Sequence, residues 1–149
     1  VLDEKEILVF VHGAMRYFER VTRIAAKAET PFLANPRDTP GLEITGVIGV
    51  SGARKGVVYL TAASELLSRV LACLGERDQS LDMQLDLAGE IANTIAGNAR
   101  EHFGADFMIS VPVVVQGKLD RVQLPADLRS FVIPLLWMEF EAYVVVCLE

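Results

Sequence analysis

The chain has 149 residues, 52% of them hydrophobic, a length that suits one domain around one core and an apolar content that leaves surface for burial between subunits. Fourteen Lys and Arg against twenty Asp and Glu give a formal net charge of −6, a field that repels nucleic-acid phosphates and anionic lipid and so excludes both as partners. Two cysteines, Cys73 and Cys147, form neither a C-x-x-C motif nor a disulfide framework and read as small buried hydrophobes.

In chain order, Ile7, Val11, Ala14, Phe18, Val21 and Ala25 recur every three or four residues and predict an amphipathic helix, with Arg16, Arg20, Arg23 and Lys27 on its solvated face. Asp3, Glu4, Lys5 and Glu6 put charge where a secretion signal needs an apolar core. With no apolar run of about twenty residues either, the expectation is a cytoplasmic protein without a membrane partner. Thr30-Pro31 and the stretch from Asn35 through Pro36 and Pro40 to Gly41 stop the helix, because proline lacks an amide donor, and predict a surface loop.

Residues 42–50 and 56–61 are β-branched or small and flank a glycine-containing turn, the pattern of a hairpin. Gly46, Gly49, Gly52 and Gly56 do not make a phosphate loop, since no helix opens after them and no G-K-[ST] follows. They predict close backbone approach instead. A second helix is expected over residues 63–74, with Ser64 near its start and Gly75 at its end. The longest helical segment is Leu81–Phe103, closed by Gly104, with Leu85, Ala88, Ala92, Ile95, Ala99 and Phe103 on its core stripe. Strands follow at 107–116, 119–124, 131–137 and 140–148, with a polar turn at Gly117-Lys118. Links this short join antiparallel strands, so the expected fold class is α+β, a mostly antiparallel sheet packed by helices.

At 3.6 residues per turn, Asp86, Glu90, Asn93 and Gly97 share one face of the long helix, away from its core stripe. The face offers a carboxylate that accepts hydrogen bonds and an amide that both donates and accepts, a pair able to grip a partner and orient a water. Gly97 keeps the face low. Spacing alone leaves two readings open: helix packing around a small residue, or contact with a partner.

The string GEIANTIAGNA, preceded by ITGVIGVSGARKGVVYL and LLSRVLACLGE and followed by SVPVVVQG, resembles the CheX family of chemotaxis phosphatases along nearly the whole chain. The related CheC and FliY phosphatases share a motif of Asp or Ser, three residues, Glu, two residues and Asn, with a proline some twenty residues on. Asp86, Glu90 and Asn93 match it, and Pro112 follows after eighteen intervening residues, a shorter spacing that leaves a strand-edge role as its default reading. The second helix has Glu65 but no asparagine, so one copy of the pair is present, as in CheX rather than CheC.

The resemblance implies an aspartyl-phosphate phosphatase acting on a phosphorylated CheY-like response regulator. It implies that Asn93 positions the attacking water and that Glu90 pairs with the regulator's lysine; Asp86 and Gly97 are the candidate partner-binding residues beside them, with a solvated helix-face carboxylate as the default reading of Asp86. It further implies no cofactor of the chain's own, Mg²⁺ being supplied by the regulator, and a homodimer joined through its sheets, for which the β-rich run Phe140–Leu148 offers a strand. The alternative is a catalytically silent regulator-binding adaptor of the same fold. A small-ligand sensor is the third reading. His12 and His102 lack metal-site spacing, Ser51 and Ser110 lack a base-and-orienter pattern, and Asn98 reads as helix surface. Trp137 and Phe140 are expected in the core or at a dimer surface.

Overall fold

The computed structural model describes residues 2–117, 124 and 128–149. The strand expected over 119–124 falls outside the described residues except for Leu124. Helix α1 (Glu4–Thr22) opens with a reciprocal cap: Asp3 accepts the Glu6 amide at 2.8 Å and Glu6 accepts the Asp3 amide at 3.0 Å. The apolar stripe predicts continuation past Ala25, yet the chain leaves the helix at Arg23, whose φ is 66°. Thr22 explains the exit, because its hydroxyl donates to the Phe18 carbonyl at 2.6 Å and accepts the Ile24 amide at 3.1 Å. Trp137, wholly buried, locks the turn through its indole N–H, which reaches Thr22 Oγ1 at 3.3 Å and the Ile24 carbonyl at 3.1 Å.

Two short strands follow where helix and loop are expected, β1 (Ala26–Ala28) and β2 (Phe32–Ala34), separated around Pro31 and succeeded by a 3-10 turn at Pro36–Asp38. The hairpin β3 (Ile44–Gly52) and β4 (Gly56–Ala62), helix α2 (Ser64–Cys73) and helix α3 (Leu81–Phe103) form as the sequence predicts. The strand expected over 107–116 is instead two, β5 (Phe107–Ile109) and β6 (Val113–Gln116), divided at Pro112, before β7 (Ser130–Trp137) and β8 (Phe140–Leu148).

The eight strands of the described residues join one sheet in the order β1-β7-β8-β4-β3-β5, every pairing antiparallel, with β2 also on β7 and β6 also on β3. The architecture is therefore α+β, with three α-helices and an antiparallel sheet among the described residues. β8 lies between β7 and β4, so the C-terminal run is mid-sheet and offers no free edge for self-pairing. One face of the sheet meets the helices in a continuous core that includes Phe10, Phe18, Ile48, Leu60, Ile91 and Trp137. Each large side chain buried there contributes about 1.5–3 kcal/mol. The opposite face holds a smaller cluster around Val47, Tyr59, Val132 and Val145. Burial pushes the Tyr59 phenol up to about 12, and its hydroxyl donates to the Pro40 carbonyl at 2.9 Å, tying the loop to that face. Cys147 is buried as expected, whereas Cys73, the last residue of α2, is exposed.

Candidate functional site

Helix α3 is fixed at both ends by local chemistry. Ser80 caps it by accepting the Met83 amide at 3.4 Å, and Gly104 ends it with φ 100°, a conformation that L side chains avoid. The buried face is wider than the sequence stripe, taking in Leu87, Gly89, Ile91 and Ala96 besides the expected alanines and Ile95. It needs that width because α3 is covered on two flanks as well as beneath.

Beneath α3 lies β3, and the approach is closest at Gly46: a Cβ there would stand 2.4 Å from the Ala88 carbonyl oxygen. Only a glycine permits this seat. On one flank, β6 and its preceding proline press on Gly89, where a Cβ would meet Val114 Cγ1 at 3.0 Å and Pro112 Cβ at 3.2 Å. Pro112 thus packs on the turn of α3 that carries Glu90, a more specific place than a strand edge. On the other flank α1 runs antiparallel to α3, with the Phe10 and Phe103 rings 6.1 Å apart and Asn98 against Gly13. Asn98 is half-buried here, and the Arg16 guanidinium reaches its Oδ1 at 3.5 Å. It is a helix–helix contact rather than plain surface.

Asp86, Glu90 and Asn93 all emerge exposed on the remaining face, and Gly97 is half-buried among them. A Cβ at Gly97 would meet nothing within 4 Å among the described residues, so tight packing against them does not require a glycine there. Among the described residues the one ion pair joins Arg54 to Glu6, which leaves the Glu90 carboxylate without a cation. Thr94 donates to the Glu90 carbonyl at 2.8 Å within the helix and does not engage its side chain. Tyr17 of α1, which the sequence does not single out, lies buried next to this turn. Burial first and the charge of Glu90 second push its phenol well above the ordinary tyrosine range, so it borders Glu90 as a neutral group. An open groove of about 460 Å³ continues the face, lined by Gly97, Arg100, Glu101, Gly104, Ala105 and Ile109.

Among the described residues no three His, Cys, Asp or Glu come together as metal ligands, and His12 and His102 are both exposed on separate helices. Asp86 and Glu90 are the carboxylates of the α3 face, too few for an oxygen cage of their own. Nor is any helix of the described residues long and apolar enough to cross a membrane. What the arrangement supplies chemically is a carboxylate without a cation among the described residues and a primary amide, both exposed on a helix held from three sides.

The chain matches the family model described as chemotaxis phosphatase CheX over residues 44–136, the segment that contains β3, α3 and Pro112. Among solved structures it is similar to the chemotaxis protein CheX of Vibrio vulnificus, at 24% identity and TM-score 0.83, covering 97% of this chain and 99% of that one. A CheC-like superfamily protein from Shewanella sp. PV-4 is similar at 24% identity and TM-score 0.85, covering 99% of each chain. A third is CheX of Borrelia burgdorferi, solved as a CheX–CheY–BeF3–Mg²⁺ complex, at 18% identity and TM-score 0.78, with 97% of each chain covered. These likenesses show a shared fold. None of the curated proteins matches the chain by sequence.

Proposed function

The chain belongs to the chemotaxis phosphatase CheX family, and from that premise we propose that it hydrolyses the aspartyl-phosphate of a CheY-like response regulator through Glu90 and Asn93. The observation that carries the proposal is the pair itself: both side chains stand exposed on the outer face of α3, inside the family-matched segment, on a helix whose seat at Gly46 leaves little freedom to move. The Borrelia burgdorferi relative, solved with CheY, supports the class of partner.

In this reading α3 enters the regulator's active site. The Glu90 carboxylate pairs with a lysine there and fixes the approach, while the Asn93 amide holds a water in line with the scissile P–O bond. Phosphoryl transfer of this kind passes through a loose transition state in which positioning and charge neutralisation supply most of the rate. Mg²⁺ belongs to the regulator and neutralises the phosphoryl oxygens. The water attacks phosphorus, its proton passes to solvent or to a phosphate oxygen, and the aspartate leaves as a carboxylate. Asp86 and Gly97 border the contact, the first as an exposed rim charge and the second as a low point.

A phosphate-release time course tests the proposal: phosphorylated regulator with Mg²⁺ should lose its phosphoryl group faster in the presence of the protein, in proportion to its concentration. An unchanged lifetime in a regulator that nevertheless binds the protein would make it the silent adaptor.

A further inference from the structure

Beside α3 the sheet contains an irregularity that the chemistry of Glu90 and Asn93 does not use. Val50 pairs with Ile109 and Val47 pairs with Val113, so two residues of β3 face three residues of the opposing segment, Ser110, Val111 and Pro112. The extra residue is a bulge, a device that re-aims side chains next to functional sites. It is firmly held. The Ser110 amide donates to the Gly49 carbonyl at 2.9 Å, the Gly49 amide donates to Ser110 Oγ at 2.8 Å, and Pro112 rests on Gly89.

At the crest of this bulge Val111 is 83% exposed, more than any other large apolar side chain among the described residues. Its position along α3 follows from the contacts on either side. Pro112 touches Gly89, and Ile109 shares the groove of Gly97 and Arg100. The intervening turn of α3, which carries Asn93, is therefore level with Val111. A single exposed valine is ordinary on a protein surface. A valine held outward by a bulge, alongside an exposed catalytic amide, is placed as an interface contact, since apolar contacts next to charged and hydrogen-bonding groups are the common anatomy of a docking surface.

We propose that Val111 is a docking contact of the phosphatase, meeting an apolar residue on the response-regulator surface beside its aspartyl-phosphate, and so sets affinity for the regulator without taking part in the chemical step. This rests on the phosphatase reading of Glu90 and Asn93, of which it is an extension to a second element.

Two variants of the full chain test it. Val111→Asp places a charge at the contact, and Val113→Asp places one on the same edge but on the opposite sheet face, where Val113 pairs with Val47 and is 61% exposed. Val111→Asp should raise KM for the phosphorylated regulator, and the Kd for a regulator carrying a stable phosphoryl mimic, by roughly tenfold or more, with kcat within about twofold of wild type. Val113→Asp should leave both unchanged. Wild-type KM and Kd in Val111→Asp overturn the proposal. So does an equal defect in both variants accompanied by loss of self-association in sedimentation, which would make this edge an interface between copies. If the wild type binds the regulator but releases no phosphate, the catalytic reading fails, while a Kd raised only by Val111→Asp still assigns the contact; if the wild type does not bind, both fall.

Discussion

Glu90 and Asn93 are a single helical turn apart and both exposed, but in the roles proposed for them, one securing docking and one ordering a water, they should fail differently when truncated. Asn93→Ala is expected to bind the regulator as wild type does while phosphate release falls by roughly 10²-fold or more, the scale of losing one positioned hydrogen-bonding group from a transition state. Glu90→Ala is expected to weaken binding, by about 2–5 kcal/mol where its pair with the regulator's lysine is desolvated. Titration with a stable phosphoryl mimic reads the first property and single-turnover release reads the second; a wild-type release rate in Asn93→Ala rules out the water-positioning role. Helical period brings positions 86, 90, 93 and 97 to one face, as the structure has them, but it was the family resemblance and not the spacing that singled out Glu90 and Asn93. Tyr17 and Val111 were singled out by neither. Their places beside Glu90 and Asn93 come from tertiary packing across 73 and 18 positions of chain, and no local spacing encodes either.

At the scale of elements, α3 was legible over Leu81–Phe103 because Gly104 is a strong stop signal and its apolar positions are periodic, while the Ser80 cap that starts it is a finding of the structure. The end of α1 was not legible, since it depends on Thr22 meeting Trp137 from the far end of the chain. Nor were β1 and β2, three residues each, which owe their strand conformation to the edge of β7. The glycines of β3 were read as points of close approach, and Gly46 is one, where α3 sits against the strand. Gly46→Ala should therefore lift α3 at Ala88, costing about 1–3 kcal/mol of stability by overpacking. Phosphate release should drop as well, although Glu90 and Asn93 are intact. Chemical denaturation and the release assay check the two effects, and a variant with unaltered midpoint and rate would mean that the helix seat is looser than the structure has it.

For the whole molecule, burying β8 in mid-sheet moves the expected self-association to the strands that remain at the borders. Along β7 the border is formed by β1 and β2, with Phe32 48% and Leu33 41% exposed. We expect a homodimer through this border, where unused backbone groups and apolar side chains coincide. Sedimentation at micromolar concentration should show a dimer that Phe32→Asp dissociates, and a wild-type monomer there counts against it. Turnover should also require Mg²⁺, with calorimetry finding no tight Mg²⁺ binding by the isolated protein; stoichiometric binding would move the metal site onto this chain.

The bulge at Val111 and Pro112 acts on the opposite border too. Val111, Pro112, Val113, Val114 and Val115 form an uncharged run that, but for its proline, has the composition of segments that stack into cross-β fibrils. Pro112 removes one amide donor from that edge and the extra residue puts the donors on either side out of step, so an incoming strand cannot pair along its full length. The same irregularity that holds Val111 out for a partner thus keeps this valine-rich border from seeding fibrils.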